Sequence, residues 1–566
     1  MDTGTRAWFD NKCNALTQCA NMSVANRALV NDGRNIVNWL RGRQQYANDN
    51  VLRAFSRQEV GTDKTTIPIV LGDIASSKPA YLREPRRNFD RPGYGAFKTT
   101  HASRKATVFA AANDGMLHAF DANSGEELWA YVPRITMKKL HQLASTTYGT
   151  NHIFSVDGSP EIADVQVGTE WKSVLVAGLN AGGRGYYALD VTDPAAPKAL
   201  WELCADASAC AGNVDTRLGL TFGNPQFGTI VDSAGVEKWV VFLTSGYNNI
   251  PGVDGVDGGD GKGYLLVVDV ATGKVIESRS ATTGEGSVAT PSGLAKISAI
   301  TNDPNNDPRV TYVYGGDNTG KMWRFDFTGA GTPARVLMGD AGVNQPVTTR
   351  PEVTLCRVDT TVDNKTVASA QRVVLFGTGR LLDLVDVTST EVQSAYLLKD
   401  DGEGISTAAW RQSSAMVKRT LARVDGDDTG NAPYTIDGGD VNLASTKGWF
   451  TDFNLNTGER VNLDPQVVAG TINVVTNLPS SSTDCKVGGT SNIYQLNVCT
   501  GRAASPDGLA GYPLASSAAV GFIVIRLPSG ALKTITTTAD GTMVTGKFPP
   551  SETIEAHRAG WRRVRD

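Results

Sequence analysis

The sequence predicts an all-β fold, a propeller of roughly seven blades behind a short helical lead-in, and three features carry that expectation. Sixty glycines in 566 residues divide the chain into short β-rich runs. Five segments repeat one pattern, as blades of about forty to fifty residues do in a propeller. A hydrophobic share of 40% beside a charged share of 20% belongs to a chain that folds around a core rather than staying disordered. A repeat architecture also absorbs a length that would otherwise suggest two or three domains.

Residues 1–65 read as the lead-in. In "NRALVNDGRNIVNWLRGRQQ" the apolar residues Leu29, Val30, Ile36, Val37 and Leu40 fall largely on one helical face, with no strand-like alternation. From "TTIPIVLGDIASSKPAYL" onward, over residues 66–566, the texture becomes that of the propeller domain: short apolar runs set off by glycine, asparagine and aspartate. The repeated segments are "NDGMLHAFDANSGEELWAYV", "GGRGYYALDVTDPAAPKALWEL", "GDGKGYLLVVDVATGKVIESR", "GDNTGKMWRFDFTGAGTPARVL" and "GTGRLLDLVDVTSTEVQSAYLL". Each reads as a hairpin: a turn, an alternating strand ending in aspartate, a second turn and a second strand. The aspartates Asp121, Asp190, Asp269, Asp326 and Asp386 are expected to accept N–H bonds from the following turn, where a glycine supplies the positive φ. Further hairpins are expected near "GWFTDFNLNTGERVNL" and "SNIYQLNVCTGRAA"; with the strand in "LGDIASSKPAYL" they suggest seven blades, whose radial closure protects their edges. The apolar run "AAVGFIVIRL", Ala518–Leu527, reads as a buried strand.

Net charge is −4, and no run of lysine and arginine interleaves with aromatics, so nucleic acid is not an expected partner. The C-terminal "RAGWRRVRD" is too short a basic cluster to change that. No apolar stretch approaches the roughly 20 residues of a membrane-spanning helix. The start "MDTGTRAWFDNKC" lacks the basic-then-apolar pattern of a secretory signal, which leaves a cytosolic chain or an excised part of a longer one. Of seven cysteines, Cys13 and Cys19, Cys204 and Cys210, and Cys485 and Cys499 lie close together and leave Cys356 alone. None has C-x-x-C spacing; they read as three short-loop disulfides of an oxidising compartment, against six buried thiols, and so favour an exported fragment.

The motif A-x-D-x-x-[ST]-G-x-x-x-W resembles the tryptophan-docking repeat of quinoprotein dehydrogenases, and "AFDANSGEELW" matches it at Ala119, Asp121, Ser124, Gly125 and Trp129. A pyrroloquinoline-quinone-dependent dehydrogenase is therefore the alternative reading. The adjacent cysteine pair common in those enzymes does not occur here, and the other repeats keep the motif poorly, so Trp129 is expected to pack between blades. Neither a G-x-S-x-G elbow nor an H-E-x-x-H helix is present, and His118 and His152 read as packing or surface residues. No catalytic residue is assigned. Calcium has better support. In "TNDPNNDPRVTYVYGGD", Asp303, Asn305, Asp307, the Arg309 carbonyl and Thr311 match positions 1, 3, 5, 7 and 9 of an EF-hand-like loop, which turns hard oxygens toward one cation. Pro308 stands where such loops have glycine, Thr311 is a neutral ligand and no bidentate glutamate follows, so a plain Asx-rich turn stands beside the one-ion reading. In "GVDGVDGGDGKG", Asp254, Asp257 and Asp260 form a second candidate, for which a flexible polar insertion is the stronger expectation.

Taken together, "LGDIASSKPAYL", "NDGMLHAFDANSGEELWAYVP", "VYGGDNTGKMWRFDF", "GERVNL" and the closing "GWRRVRD" resemble the C-terminal region of the PilY/PilC family of type IV pilus tip-associated adhesins and biogenesis factors. The likeness runs from about Ile36 to the end of the chain. It implies a modified seven-bladed β-propeller with quinoprotein-like blades and no catalytic activity. It also implies export to the outer cell surface and pilus tip, action with the minor pilins and tip complex, opposition to retraction, attachment to a host-surface ligand, twitching motility and a part in virulence. Longer family members carry a von Willebrand A-like domain and a signal peptide; both are missing here, consistent with a fragment. The family's calcium loop has the form D-x-[DN]-x-D-x-x-x-D, which Asp303, Asn305 and Asp307 match and Thr311 does not. The Arg-Gly-Asp tripeptide of some members does not occur.

Overall fold

The structure, a computed structural model, describes residues 3–210, 212–362, 365–405, 410–412, 414–424, 432–480, 488–515 and 517–551. By its packing the chain forms two compact units, Met1–Val313 with Phe325–Arg335, and Tyr314–Arg324 with Val336–Asp566.

In the first unit the expected helical lead-in includes two helices, Val24–Asn31 and Gly33–Leu40. Asp32 causes the break, because it ends the first helix and its carboxylate accepts the N–H of Arg34 to cap the second. Gly33 is required there: a Cβ would lie 2.7 Å from the Phe9 carbonyl carbon. The buried face, Val30, Ile36 and Trp39, packs with Phe9 and Leu16 and against Leu140, Leu143 and Ala144, so the lead-in shares a core with the chain that follows. A two-stranded hairpin, β1 (Arg57–Val60) with β2 (Thr65–Pro68), follows the helices.

Three sheets then repeat one plan. The first is β3 (Ala80–Leu82), β4 (Thr107–Ala112), β5 (Met116–Asp121) and β6 (Glu127–Tyr131). The second is β7 (Glu161–Val167), β8 (Glu170–Gly178), β9 (Gly185–Asp190) and β10 (Lys198–Cys204), with β11 (Asn213–Val214) parallel to β10. The third holds β12 (Gln226–Val231), β13 (Glu237–Thr244), β14 (Tyr264–Asp269) and β15 (Ala281–Thr282). The middle sheet buries both faces. Leu175, Tyr187 and Leu189 pack with Phe109 and Leu117, while Val174, Val176, Tyr186 and Ala188 pack with Leu243 and Leu266. The period-2 alternation of a strand thus sends successive residues into two cores. Each fully buried Val or Leu contributes about 1.5–3 kcal/mol. Tryptophans add a polar tie between successive sheets: Trp129 Nε1 donates to the Pro194 carbonyl at 2.7 Å and Trp201 Nε1 to that of Val270 at 2.9 Å. Gly273, at φ 71°, lets Trp201 lie against its turn, since a Cβ would meet the ring at 2.6 Å.

The third sheet continues beyond the plan of the first two, since β17 (Asp307–Gly316) lies parallel to β12 and pairs with β16 (Ile297–Asp303), and β18 (Lys321–Asp326) and β19 (Ala334–Asp340) follow in the chain. Four of the expected aspartates end strands, Asp121 in β5, Asp190 in β9, Asp269 in β14 and Asp326 in β18. Their carboxylates accept the N–H of Asn123 at 2.8 Å, Thr192 at 3.0 Å, Ala271 at 3.1 Å and Thr328 at 2.8 Å. Gly125 and Gly273 supply the positive φ in two of these turns. The fifth segment departs from the pattern. Asp386 lies in a short helix, Leu384–Val387, where it accepts the N–H of Leu382 at 2.9 Å and pairs with Arg380 at 2.8 Å. The spacing resembled a strand, but Asp383 caps a helix there and the local N–H groups turn inward to Asp386.

In the second unit β20 (Glu352–Val362), β21 (Lys365–Gly377), β22 (Ser394–Lys399), β23 (Met416–Arg423), β24 (Tyr434–Gly438), β25 (Gly448–Asp452), β26 (Gln466–Val468), β27 (Thr471–Pro479), β28 (Gly489–Asn497) and β29 (Leu509–Ala515) join in one ten-stranded sheet. Its order is β20-β21-β22-β25-β23-β24-β29-β28-β27-β26. No strand forms in "GERVNL". Glu459, 1% exposed, instead accepts from the Thr476 hydroxyl at 2.5 Å, Tyr494 at 2.8 Å and the Asn492 amide at 2.9 Å, and so ties the loop to β27 and β28. A three-stranded sheet, β30 (Ala519–Arg526), β31 (Leu532–Thr538) and β32 (Met543–Lys547), closes the described chain. The run at Ala518–Leu527 is a strand as expected but is not buried throughout: Val520 and Ile523 are half exposed because only one face packs on the core. "GWRRVRD" lies outside the described residues.

The cysteines correct one pairing. Cys13–Cys19 and Cys204–Cys210 are disulfides as expected, but Cys499 pairs with Cys356, 143 residues away, and Cys485 lies outside the described residues. Proximity in sequence was the wrong guide, because Cys356 on β20 and Cys499 after β28 meet in one core with Trp449 and Tyr494.

Candidate functional site

The residues expected to bind calcium fall on the β16–β17 hairpin. Asp303 ends β16, Asn305 is in the three-residue turn, and Asp307, Arg309 and Thr311 lie along β17. Asp303 Oδ1 accepts the N–H of Asn305 at 3.2 Å and of Asn306 at 3.3 Å, and its Oδ2 accepts from the Asn306 amide at 2.6 Å. The Asn306 amide, ahead of the turn N–H groups, holds this carboxyl below the usual carboxylate range. Asp307 pairs with Arg91 at 3.3 Å and accepts the Arg309 N–H at 3.1 Å. Thr311 donates its hydroxyl to the Ile300 carbonyl at 3.1 Å across the hairpin. At about 3.3 Å per strand residue, Thr311 stands roughly 13 Å from Asp307, too far to share an ion whose ligands lie within about 2.6 Å. The hairpin brings Asp303, Asn305 and Asp307 to one turn and leaves Arg309 and Thr311 along the strand; as a set of five these residues do not fit one calcium ion in this conformation. Among the described residues no three His, Cys, Asp or Glu form a metal-holding group.

The second acidic loop is organised by a residue that the sequence reading passed over. Arg184, 2% exposed and immediately before β9, donates to the carbonyls of Leu218 at 2.7 Å, Gly258 at 2.9 Å, Ile250 at 3.1 Å, Thr216 and Val253 at 3.3 Å and Val256 at 3.5 Å. Asp260 faces away, accepting from Lys262 N–H and the Tyr264 hydroxyl, so Asp254, Asp257 and Asp260 do not converge. The loop is therefore wrapped on a guanidinium rather than free. Gly259 makes the wrap feasible: at φ 116° its Cβ would lie 2.1 Å from the Asn249 carbonyl oxygen. The signal was a lone arginine between glycines and a fully apolar strand, "GGRGYYAL", where a buried cation must find oxygen partners. A basic stretch was missed likewise: "REPRRNFDR" carries Arg83, Arg86, Arg87 and Arg91.

The first repeat opens on a groove lined by Arg41, Val70, Leu71, Met116, His118 and Trp129. His118, 5% exposed, is held from both sides, with Nδ1 2.6 Å from a Glu127 oxygen and Nε2 3.0 Å from Asp114. Burial alone would push this imidazole down; the hydrogen bonds and charges of Asp114 and Glu127 outweigh it and hold the pKa above the usual value. A group whose folded pKa is raised contributes stability that is full below its unfolded pKa, near 6.5, and is lost as pH rises through the folded value. His118→Gln is accordingly expected to lower stability on the order of 1–2 kcal/mol at pH 5–6 and progressively less at alkaline pH. Thermal melts of both proteins across that range check this, and a pH-independent difference would refute it.

Three comparisons bear on this architecture. The family model described as the PilY1 beta-propeller domain matches residues 69–423, more than half of the chain. A type IV pilus biogenesis factor PilY1 homolog of Xylella fastidiosa is 30% identical over 522 residues, covering 88% of this chain and 39% of the relative. The type IV pilus biogenesis factor PilY1 of Pseudomonas aeruginosa is 29% identical over 501 residues, covering 80% and 40%. The chain thus spans about two-fifths of the length of these relatives. The crystal structure of the Pseudomonas aeruginosa PilY1 C-terminal domain matches with a TM-score of 0.58 at 23% identity, over 82% of this chain and 99% of that one, in agreement with the fold. Among the described residues no helix is long and apolar enough to cross a membrane. With the repeated hairpins and the tryptophan ties in the matched region, the chain belongs to the PilY1 β-propeller family.

Proposed function

We propose that this chain is the propeller region of a type IV pilus biogenesis factor and tip adhesin. In this reading it is exported, works with the minor pilins and tip complex, promotes extension by opposing retraction, and supports attachment and twitching motility without catalysing a reaction. The observation that carries the reading is the likeness to named pilus biogenesis factors over 80–88% of the chain. Disulfides suit an exported protein. A binding role also suits the polar groups described above, which are spent on holding turns and loops: His118 between two carboxylates, Asp303 on its own turn, Arg184 on six carbonyls.

A strain lacking the gene for this chain is expected to lose surface pili and to regain them when retraction is also disabled. Unchanged piliation would sink the biogenesis role. Pili that stay absent without retraction would sink the opposition to retraction.

A further inference from the structure

Segment 87–91 lies across the β16–β17 turn, and Phe89 anchors it. The Phe89 ring packs 5.9 Å from Trp171 and 5.7 Å from Trp239, and Trp171 Nε1 donates to the Pro92 carbonyl at 2.9 Å. On either side of that anchor the segment presents donors to oxygens of the turn. Arg87 Nη1 donates to the Pro304 carbonyl at 3.0 Å and to Asn305 Oδ1 at 3.3 Å. The backbone N–H groups of Asn88 and Asp90 reach the carbonyls of Asn305 at 2.8 Å and Asn306 at 3.3 Å. Arg91 Nη2 reaches Asp307 Oδ1 at 3.3 Å, and its fork is aimed by two 2.8 Å bonds to Glu237.

Carboxylate, side-chain amide and backbone carbonyl are the oxygens that a hard divalent cation takes. Here each type is already met by an N–H of segment 87–91. We propose that Arg87 and Arg91 act as the internal cation of this turn, so that the β16–β17 hairpin closes without a metal ion. The charges favour it: Arg91 stands between two carboxylates, Asp307 and Glu237. A guanidinium fork matches a carboxylate in geometry and keeps its charge throughout the physiological pH range. Being covalently attached, it also forgoes the entropy loss of capturing a free ion. Because Arg91 and Asp307 are partly exposed, the pairing is screened by salt rather than abolished by a chelator. This inference does not rest on the pilus reading, since its test uses the purified chain alone.

Melting temperature and protease cleavage within 304–306 are expected to be the same in EDTA and in millimolar calcium chloride, with cleavage rising as sodium chloride is added. Arg91→Gln is expected to be cut about two- to fivefold faster at this turn than the unmodified chain, and Arg91→Lys, which keeps the charge but loses the fork, at an intermediate rate. If Arg91→Gln does not fold, Arg87→Gln at the exposed end of the segment supplies the same comparison. A calcium-induced rise in the melting temperature of the unmodified chain, or a turn no more accessible in the arginine variants, overturns the proposal.

Discussion

Cys356→Ser is expected to cost the second unit about 5 kcal/mol, the loop-closure entropy of a 143-residue separation returned to the unfolded chain. The two other disulfides close separations of six residues, for which the same relation gives about 2 kcal/mol each. Most of the stabilisation available from oxidation therefore belongs to one bond. Its surroundings raise the stakes, because Cys356 is fully buried and shares its core with Leu375, Trp449 and Tyr494, so a serine there places a hydroxyl among apolar groups. Urea unfolding of the oxidised chain and the Cys356→Ser variant measures the loss, and mass mapping of the non-reduced chain identifies the linked peptides. A loss below about 1 kcal/mol, or a Cys485–Cys499 peptide in place of Cys356–Cys499, would refute the assignment.

That disulfide also marks where the sequence stops being legible. Features encoded within one hairpin were readable: Asp121, Asp190, Asp269 and Asp326 each end a strand and bind the turn two residues on, since donor and acceptor sit within a few residues of one another, with Gly125 and Gly273 completing the turn in two of the four. Asp386 shows the limit of the same grammar, because a capping Asp383 three residues earlier converts a strand-like spacing into a helical turn. Non-local features left weaker traces. Cys485 is nearer to Cys499 in sequence, but β20 and β28 bring Cys356 to it through one core. At the β16–β17 turn the EF-hand-like spacing was real, yet spacing cannot show that Thr311 points back to Ile300 or that Arg91 arrives from 216 residues away.

Arg184→Met should cost the first unit about 4 kcal/mol and loosen one loop specifically, although methionine nearly preserves the volume. Five donors on one planar group reach carbonyls on two stretches, Thr216 and Leu218 on one side and Ile250 through Gly258 on the other. Burial holds the guanidinium below its usual pKa, the charge of Asp254 opposes that shift, and carbonyl dipoles provide the rest of its solvation. Removing the donors leaves those carbonyls facing an apolar side chain, at about 1–3 kcal/mol for each one that finds no water, less than additively. Lysine cannot replace it, since one ammonium offers three donors from a single point; Arg184→Lys is expected to recover about half of the loss. Hydrogen exchange should accelerate at Gly252, Val256 and Gly261, whose N–H groups bond within the wrapped loop, while β8 and β9 stay protected by burial on both faces. If Arg184→Met exchanged like the unmodified chain there, the loop would be held by its glycine geometry alone, and the guanidinium would be a passenger rather than its organising cation.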